Sequence, residues 1–453
     1  MSGPKVVRLV TRDELVSICE GHLARLGAAV DEWIKVGRRN DTVTDAEITA
    51  TLARQEEFRR MLARDRFNDL QKAVPAEISF LSADREARLA RAASAKAEAR
   101  SVRRQTEAAA ASVLAALGRK GVQVPDGLRV ALEDVASGRS GDAAAISRAF
   151  ALLSDKQETA VSDHQRRLAD ALKGADERQG FNEWMAGQSK NKDDEVFTRL
   201  NQRIAELSVI LGEAAAAEFE NRLRRLFSGE PPSALSLMID SLEVDLAKAV
   251  SKAKERAALQ SRLRMLAAEL SQLGSENCEA LARSITERLG GTSEVLVELE
   301  KEATLTIGRL REEEAAKSRR QALLKGLADL GYQVAEDMET AWVRDGKVVI
   351  KRAAQPEYGV EVGGKVESGR VQMRTVAIRN PDTPVDATGD RDAETIFCSH
   401  VSRLEEKFAE VGGAIVIERA LPVGATPLRV IADAAETEDK GIQERSPRQL
   451  RLK

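Results

Sequence analysis

The sequence has few aromatic residues, few cysteines and no long apolar run. Only 3% of its 453 residues are Phe, Trp or Tyr, so we expect packed helices rather than a thick globular core. Its three cysteines lie far apart and no apolar leader opens the chain, which predicts a reducing compartment, taken as the cytoplasm, without disulfides. No apolar stretch reaches the roughly 18 residues of a membrane-spanning helix, so no membrane span is predicted.

The sequence also lacks a large excess of positive or negative charge. The chain carries 70 Lys and Arg residues against 73 Asp and Glu residues, for a net charge of -3. No global positive field therefore draws it to nucleic acid or to anionic lipid. A contact with a polyanion must use a local basic patch.

What the sequence does have is an apolar repeat at alternating steps of three and four between residues 193 and 330. Such a stripe stays on one side of a helix and must be covered by another helix, as in a coiled coil. We predict elongated antiparallel helical hairpins and a homodimer. The predicted interface consists of Leu200, Leu207, Leu211, Leu259, Leu263, Leu266, Leu270 and Leu273.

Helix caps and breakers divide the chain. Thr11 and Glu14 form a capping-box pattern that opens the first helix, and Pro75 predicts a kink or a break in the second. The glycine and prolines of 229–233 predict a turn that folds 193–227 back on 234–273. The predicted divisions are a long-helix region at 1–174, a bend at 175–192, a coiled-coil region at 193–318, a small α+β domain at 319–433 and a disordered tail at 434–453.

In the α+β domain, Asp345-Gly346 between β-branched runs predicts a hairpin, and two more strands, a helix and a strand follow. This order of helix, three strands, helix and strand resembles the core of restriction-endonuclease-like nucleases. The resemblance implies a magnesium site made by one acid and an acid-x-lysine pair. Asp345 can match the first acid, but Gln372 and Arg374 stand where the pair should be, which implies a catalytically silent relative.

Two other motifs lack a required part. Residues 359–365 have the spacing of a phosphate-binding loop, but Val366 replaces the hydroxyl residue and a strand follows where a helix is needed. The pairs Cys19/His22 and Cys398/His400 contain zinc-ligating residue types, but most of the chain separates them. We predict neither a metal nor a cofactor.

A basic stripe is the clearest candidate for binding. Clustered cations on one helix can neutralise phosphates along a nucleic-acid backbone, although a solvated helix face is the simpler interpretation. No aromatic side chain in the stretch can stack on bases, which argues against single-strand recognition. The stripe consists of Arg85, Arg88, Arg91, Lys96, Arg100, Arg103 and Arg104.

Together these features predict a non-enzymatic scaffold or adaptor that self-associates and docks a protein partner through its α+β domain. The alternative is an accessory subunit of a nucleic-acid-handling or antiphage defence complex. That subunit would use the basic stripe or the silent nuclease-like domain.

Overall fold

The computed structural model describes residues 4–155, 192–227, 235–364, 366–380 and 384–432. The chain is mainly helical with one small sheet, which confirms the predicted fold class at that level. The α-helices of the described residues are α1 (Arg12–Arg39), α2 (Asp45–Ala63), α3 (Phe67–Arg119), α4 (Asp126–Ala136), α5 (Ala143–Asp155), α6 (Lys192–Leu211), α7 (Glu213–Phe227), α8 (Leu235–Leu273), α9 (Glu276–Arg288), α10 (Ser293–Ala328), α11 (Met338–Asp345) and α12 (Ala387–Glu410). The strands are β1 (Lys5–Val10), β2 (Lys347–Arg352), β3 (Gln355–Gly363), β4 (Arg370–Ile378), β5 (Ala414–Ala420) and β6 (Arg429–Ile431).

The first helix begins where the sequence predicts. The amide of Glu14 donates to Thr11 Oγ1 at 3.3 Å, so the predicted N-cap is present. The break predicted at Pro75 is wrong, because α3 runs through that residue. The chain instead turns near Asp65, which has a φ of 55°. A proline removes only one backbone hydrogen bond, and a helix as long as α3 tolerates that loss.

Helices α6, α7 and α8 pack together around a shared apolar cluster. Leu200 of α6, Leu223 of α7 and Leu242 of α8 are buried in it. The helix predicted over 193–227 breaks at Gly212, whose φ of 101° suits glycine. The chain therefore turns back at Gly212, so the predicted antiparallel packing on residues 234–273 holds for α7 and is wrong for α6.

The ion pairs between these helices give their directions. Arg203 of α6 pairs with Glu243 of α8, and Glu206 of α6 pairs farther along α8 with Lys254. Residue numbers rise together, so α6 runs parallel to α8. Phe219 of α7 packs in a cluster with Val250 of α8, and Arg222 pairs with Asp245, so residue numbers run in opposite directions and α7 is antiparallel to α8.

The six strands of the described residues form one sheet with the order β2-β3-β4-β1-β5, and β6 pairs with β4 in parallel beyond the end of β1. The β2-β3, β3-β4, β4-β1 and β1-β5 pairings are all antiparallel. Strand β1, which no pattern in the sequence predicted, lies between β4 and β5. The α+β domain predicted at 319–433 therefore lacks one of the strands of its own sheet.

The hairpin predicted at Asp345-Gly346 is wrong. Residues 338–345 form α11, and Gly346 ends that helix in the left-handed conformation with a φ of 70°. A left-handed glycine ends helices and also makes tight hairpin turns, so the dipeptide alone does not separate the two structures. The hairpin lies one strand later, between β2 and β3.

One face of the sheet forms the main apolar core. Val7 and Leu9 of β1 are fully buried there, beside Val360 of β3 and Met373 of β4. Helices α10 and α12 cover this face through apolar side chains that include Leu327, Phe397, Val401, Leu404 and Phe408. The apolar face of α12 therefore covers the sheet, and most of the charged side chains of the strands lie on the opposite face.

The chain divides into two compact units. One contains Met1–Asp31, Ala46–Phe80 and Gln260–Lys453, and the other contains Glu32–Asp45 and Leu81–Leu259. Among the described residues, no helix is both long and apolar enough to cross a bilayer. The predicted turn at 229–233, the tail at 434–453 and the bend at 175–192 except Lys192 lie outside the described residues.

Candidate functional site

The face of the sheet away from α10 and α12 is the strongest candidate site, and we call it the open face. Alternation along each strand and the cross-strand register decide which residues share it. Arg8 lies opposite Arg370, and Glu361 lies opposite Arg374. Arg8 and Arg370 are 53% and 58% exposed at their side chains, so their guanidinium groups reach solvent.

One half of the open face is organised around Glu361. Its Oε1 accepts from Nε of Arg374 at 2.9 Å, and its Oε2 accepts from Nη1 of Arg429 at 2.9 Å. Glu361 is buried and the two arginines are more exposed. A buried carboxylate thus holds one guanidinium on each side.

The other half is organised in the same way around Glu418. Its carboxylate lies 3.4 Å from Nε of Arg8 and 2.9 Å from Nε of Arg370. The register between β1 and β5 shifts here: Val7 pairs with Ile417 and Val6 pairs with Arg419, so Glu418 is the extra residue of a bulge. Bulges redirect side chains, and this one lets Glu418 reach two strands.

Positive charge predominates over the whole open face. Register and alternation place seven cations on it against three carboxylates, although the chain as a whole has a net charge of -3. The carboxylates are Glu357, Glu361 and Glu418. The cations are Arg8, Lys347, Lys351, Arg370, Arg374, Arg419 and Arg429.

Beside the open face, β5 forms an edge of the sheet. In the described part of the chain no strand pairs with its outer side. Val416 and Ile417 point to opposite faces and are 56% and 41% exposed. An exposed edge with branched apolar side chains is a template for pairing with another strand.

The basic stripe on α3 lies largely against other helices of its own unit. Arg85 lies 4.0 Å from Glu32, and Arg88 pairs with Asp84 at 2.6 Å while its guanidinium lies over the Trp33 ring. Arg91 lies on an exposed part of the helix, where its Nε donates to a carbonyl of the same helix at 3.4 Å.

Farther along the stripe the cations meet α7 and its neighbours. Lys96 and Arg100 pair with Glu213 at 2.6 and 3.0 Å. These contacts, led by the hydrogen bond from Lys96, lower the pKa of Glu213 below its usual range. Arg103 pairs with Glu107, and Arg104 lies over the ring of Phe197 at 3.6 Å. Most of the stripe therefore has partners inside the protein.

The leucines of the predicted coiled-coil interface fall into three groups. Leu200 and Leu207 are buried against α8, which supplies the second helix that the repeat requires. Leu211 is 50% exposed, and Leu266 and Leu273 are half-buried. The remaining members, Leu259, Leu263 and Leu270, are buried.

The cysteine and histidine pairs are not brought together as a zinc site. No group of three or more His, Cys, Asp or Glu side chains suited to a metal occurs among the described residues. Cys398 accepts from Lys5 Nζ at 2.9 Å, and His400 Nδ1 lies 3.0 Å from the hydroxyl of Tyr332. Of the two glycines that give the candidate phosphate-binding spacing, Gly359 lies within β3 and Gly364 follows the end of that strand. The next strand, β4, begins at Arg370, so the motif does not open an α-helix.

The structure contains a buried cluster of charged residues that the sequence did not predict. Glu269 of α8 is fully buried and pairs with Arg25 of α1 and Arg311 of α10. Burial lowers the pKa of Arg311 and, with help from both arginines, that of His22. Nδ1 of His22 is buried without a hydrogen-bond partner among the described residues. Nothing in the local sequence identifies these partners, because they come from three distant helices.

The residues that were matched to a nuclease site lie on different elements and have different partners. Asp345 ends α11, where Arg344 pairs with it and lowers its pKa. Gln372 and Arg374 lie on the open face, and the carboxylate that meets Arg374 is that of Glu361. Comparison of the chain with protein-family models, curated proteins and solved structures finds no match.

Proposed function

We propose that this protein is a non-enzymatic helical adaptor that docks a protein partner through its sheet. The observation that carries the proposal is the outer edge of β5, with Val416 and Ile417 exposed on its two faces. The partner contributes an extended segment that pairs with this edge. The helices of the chain then supply the scaffold on which the edge is held.

Strand addition suits this edge for a physical reason. The backbone N–H and C=O groups on the outer side of an edge strand offer a row of hydrogen bonds, which supply affinity to any extended peptide. Side chains that alternate between the two faces of the added strand supply specificity. Val416 and Ile417 offer apolar contact on both faces, and Glu418 and Arg419 limit indiscriminate pairing by their charge.

We also propose self-association through a coiled coil, but fewer of the predicted interface leucines are free to support it. Leu200 and Leu207 already have an intramolecular partner in α8. The dimer then depends on those leucines of the predicted coiled-coil interface that have exposed surface, and Leu211 is the most exposed of them. Leu211→Lys should convert a dimer to a monomer in light scattering, whereas an unchanged monomeric mass in the wild type contradicts the dimer.

The alternative function, an accessory subunit of a nucleic-acid-handling complex such as an antiphage complex, draws on a different observation. The cations of the open face give this alternative more support than the α3 stripe, because most of the stripe is paired inside its own unit. The two functions use different surfaces of one sheet. They are separable by experiment.

The test of the adaptor is site-specific photo-crosslinking in the native host. A photoreactive residue at position 417 should give one discrete crosslinked protein, because the partner strand lies against the edge. The double variant Val416→Lys/Ile417→Lys should lose the interaction of the untagged partner. A matched control is Val343→Lys, because Val343 is 62% exposed on α11. The proposal is wrong if crosslinks at 417 are absent, or if the control variant loses the same partner.

A further inference from the structure

We propose that the open face of the sheet binds the phosphate backbone of a double-stranded nucleic acid. It carries seven cations against three carboxylates in a chain whose net charge is -3. Neutralising phosphates releases condensed counterions, and that release drives binding to duplexes without reading the sequence. This site is one face of the sheet, whereas the proposed adaptor function uses the backbone groups at the outer edge of β5. Glu418 and Arg419 belong to both, but phosphate binding does not depend on strand addition.

The chemistry of the cations favours phosphate. Five of the seven are arginines, whose planar guanidinium groups match two phosphate oxygens at once. Each guanidinium carries five N–H donors, and a neighbouring glutamate engages only some of them. Arg8, Arg370 and Arg429 are about half exposed, so their remaining donors face solvent.

The two glutamates make the arginines a prearranged set. Glu361 fixes Arg374 and Arg429, and Glu418 fixes Arg8 and Arg370. An arginine held by a neighbour loses less side-chain freedom when a ligand arrives, which lowers the entropic cost of binding. The glutamates also repel phosphate. Their removal should therefore raise affinity for a polyanion even though it loosens the arginines.

The centre of the open face argues against an acidic protein as the main ligand. Stable protein interfaces have an apolar centre with a polar rim. Here the middle strands, β4 and β1, present the charged or polar residues Arg8, Arg370, Gln372 and Arg374 together with two valines. Of these valines, Val6 is half-buried and Val376 is fully buried. The exposed apolar residue Val416 lies at the edge on β5. The exposed side chains at the centre are therefore charged or polar, unlike the exposed apolar centre of a stable protein interface.

The kind of nucleic acid follows from what the open face lacks. None of its described positions is aromatic, and single-strand binding relies on aromatic rings that stack on bases. Arginines that reach only phosphates fix position without reading bases. The ligand is therefore a duplex, bound with little sequence preference.

The test measures binding of a short fluorescent DNA duplex of mixed sequence to the full chain by anisotropy over a series of salt concentrations. The wild-type protein should bind the duplex in dilute salt. The logarithm of its binding constant should fall linearly with the logarithm of the salt concentration. Arg8→Glu/Arg370→Glu should weaken binding about tenfold or more and reduce the slope by about two. Glu418→Gln should strengthen binding, because it removes a repelling charge while keeping the shape of the side chain.

The control has the same change in net charge at another place. Arg139→Glu/Arg309→Glu reverses two arginines that are 69% and 68% exposed outside the sheet, and it should leave the affinity nearly unchanged. Any of three results overturns the proposal: no binding by wild type in dilute salt, an equal loss in the control, or polyglutamate that competes as well as unlabelled duplex. The last result would assign the open face to an acidic protein. Loss of crosslinking at 417 with intact duplex binding would reject only the adaptor.

Discussion

Arg319 of α10 binds Glu14 of α1 through both oxygens of the carboxylate, with Nε to Oε2 at 3.0 Å. The same guanidinium donates to the carbonyl oxygens of Val366 and Glu367 at 2.8 and 2.9 Å. One buried side chain therefore connects the first turn of α1, the long helix α10 and the turn before β4. This turn precedes the arginines of the open face on β4.

We expect Arg319→Met to lower the free energy of unfolding by about 3–5 kcal/mol, because it leaves the Glu14 carboxylate and two carbonyl groups without their donor. Chemical denaturation followed by circular dichroism measures this loss. Arg309→Met is the control, since Arg309 is 68% exposed on the same helix. Equal stability of the two variants would show that the buried contact contributes little.

His22 should make stability depend on pH. Burial, with Arg311 and Arg25 nearby, lowers its pKa in the folded state, while Glu269 acts in the opposite direction. The unfolded chain then binds a proton near the ordinary pKa of about 6.5, whereas the folded chain resists protonation to lower pH. The free energy of unfolding should therefore fall as pH decreases below about 6.5.

The variant His22→Gln isolates this contribution. The difference in unfolding free energy between wild type and variant should change between neutral pH and mildly acidic pH, and it should level off once the folded histidine is also protonated. Denaturation at several pH values measures it. NMR titration of the histidine gives the folded pKa directly. A folded pKa at or above 6.5 contradicts the prediction.

The pairing of the α3 stripe with α7 predicts another titration. Lys96→Ala/Arg100→Ala should raise the pKa of Glu213 towards its ordinary value, because hydrogen bonds and charges from both residues lower it now. Glu213 is 61% exposed, so we expect at most about 1 kcal/mol of lost stability. Arg91→Ala serves as the control on an exposed part of the helix. An unchanged pKa of Glu213 would mean that the stripe faces solvent after all.

The position of β1 predicts that residues 319–433 do not form the complete sheet alone. Val7 and Leu9 fill the core between β4 and β5, so their loss exposes apolar side chains on both neighbours. The isolated fragment should lack a cooperative thermal transition in circular dichroism, and a circular permutant that adds residues 4–12 should regain it. The same permutant with Leu9→Asp should not. Cooperative melting of the fragment without β1 would contradict this prediction.

Local signals in the sequence predicted the local parts of the fold. The Thr11 cap describes the start of one helix and matches the structure, and the leucines of the three-four repeat lie on helices, although Gly212 divides one helix that the repeat predicted. β1 was missed because its six residues form a strand only through partners more than 350 positions away. The Asp345-Gly346 turn was misassigned because the left-handed glycine serves a helix end as well as a hairpin.

The candidate site was harder to predict than the helices, because it is formed by strands that are far apart in the sequence. The sequence places Arg8, Arg370 and Glu418 in separate segments, and only the strand order with the register brings them together. The α3 stripe showed the opposite error, because a run of cations on one helix does not reveal the carboxylates of another helix. Counting charges along the sequence therefore identified the α3 stripe, which is less exposed than the open face of the sheet.

The place of β1 between β4 and β5 also sets an order of events during synthesis. The ribosome makes β1 before both strands that flank it, and more than 350 residues must follow before β4 is available. Until then its apolar residues Val7 and Leu9 have no sheet to enter. Such pairings between distant segments slow folding and leave a strand open to wrong partners. The segment that forms β1 must therefore stay out of the sheet until both β4 and β5 have been synthesised.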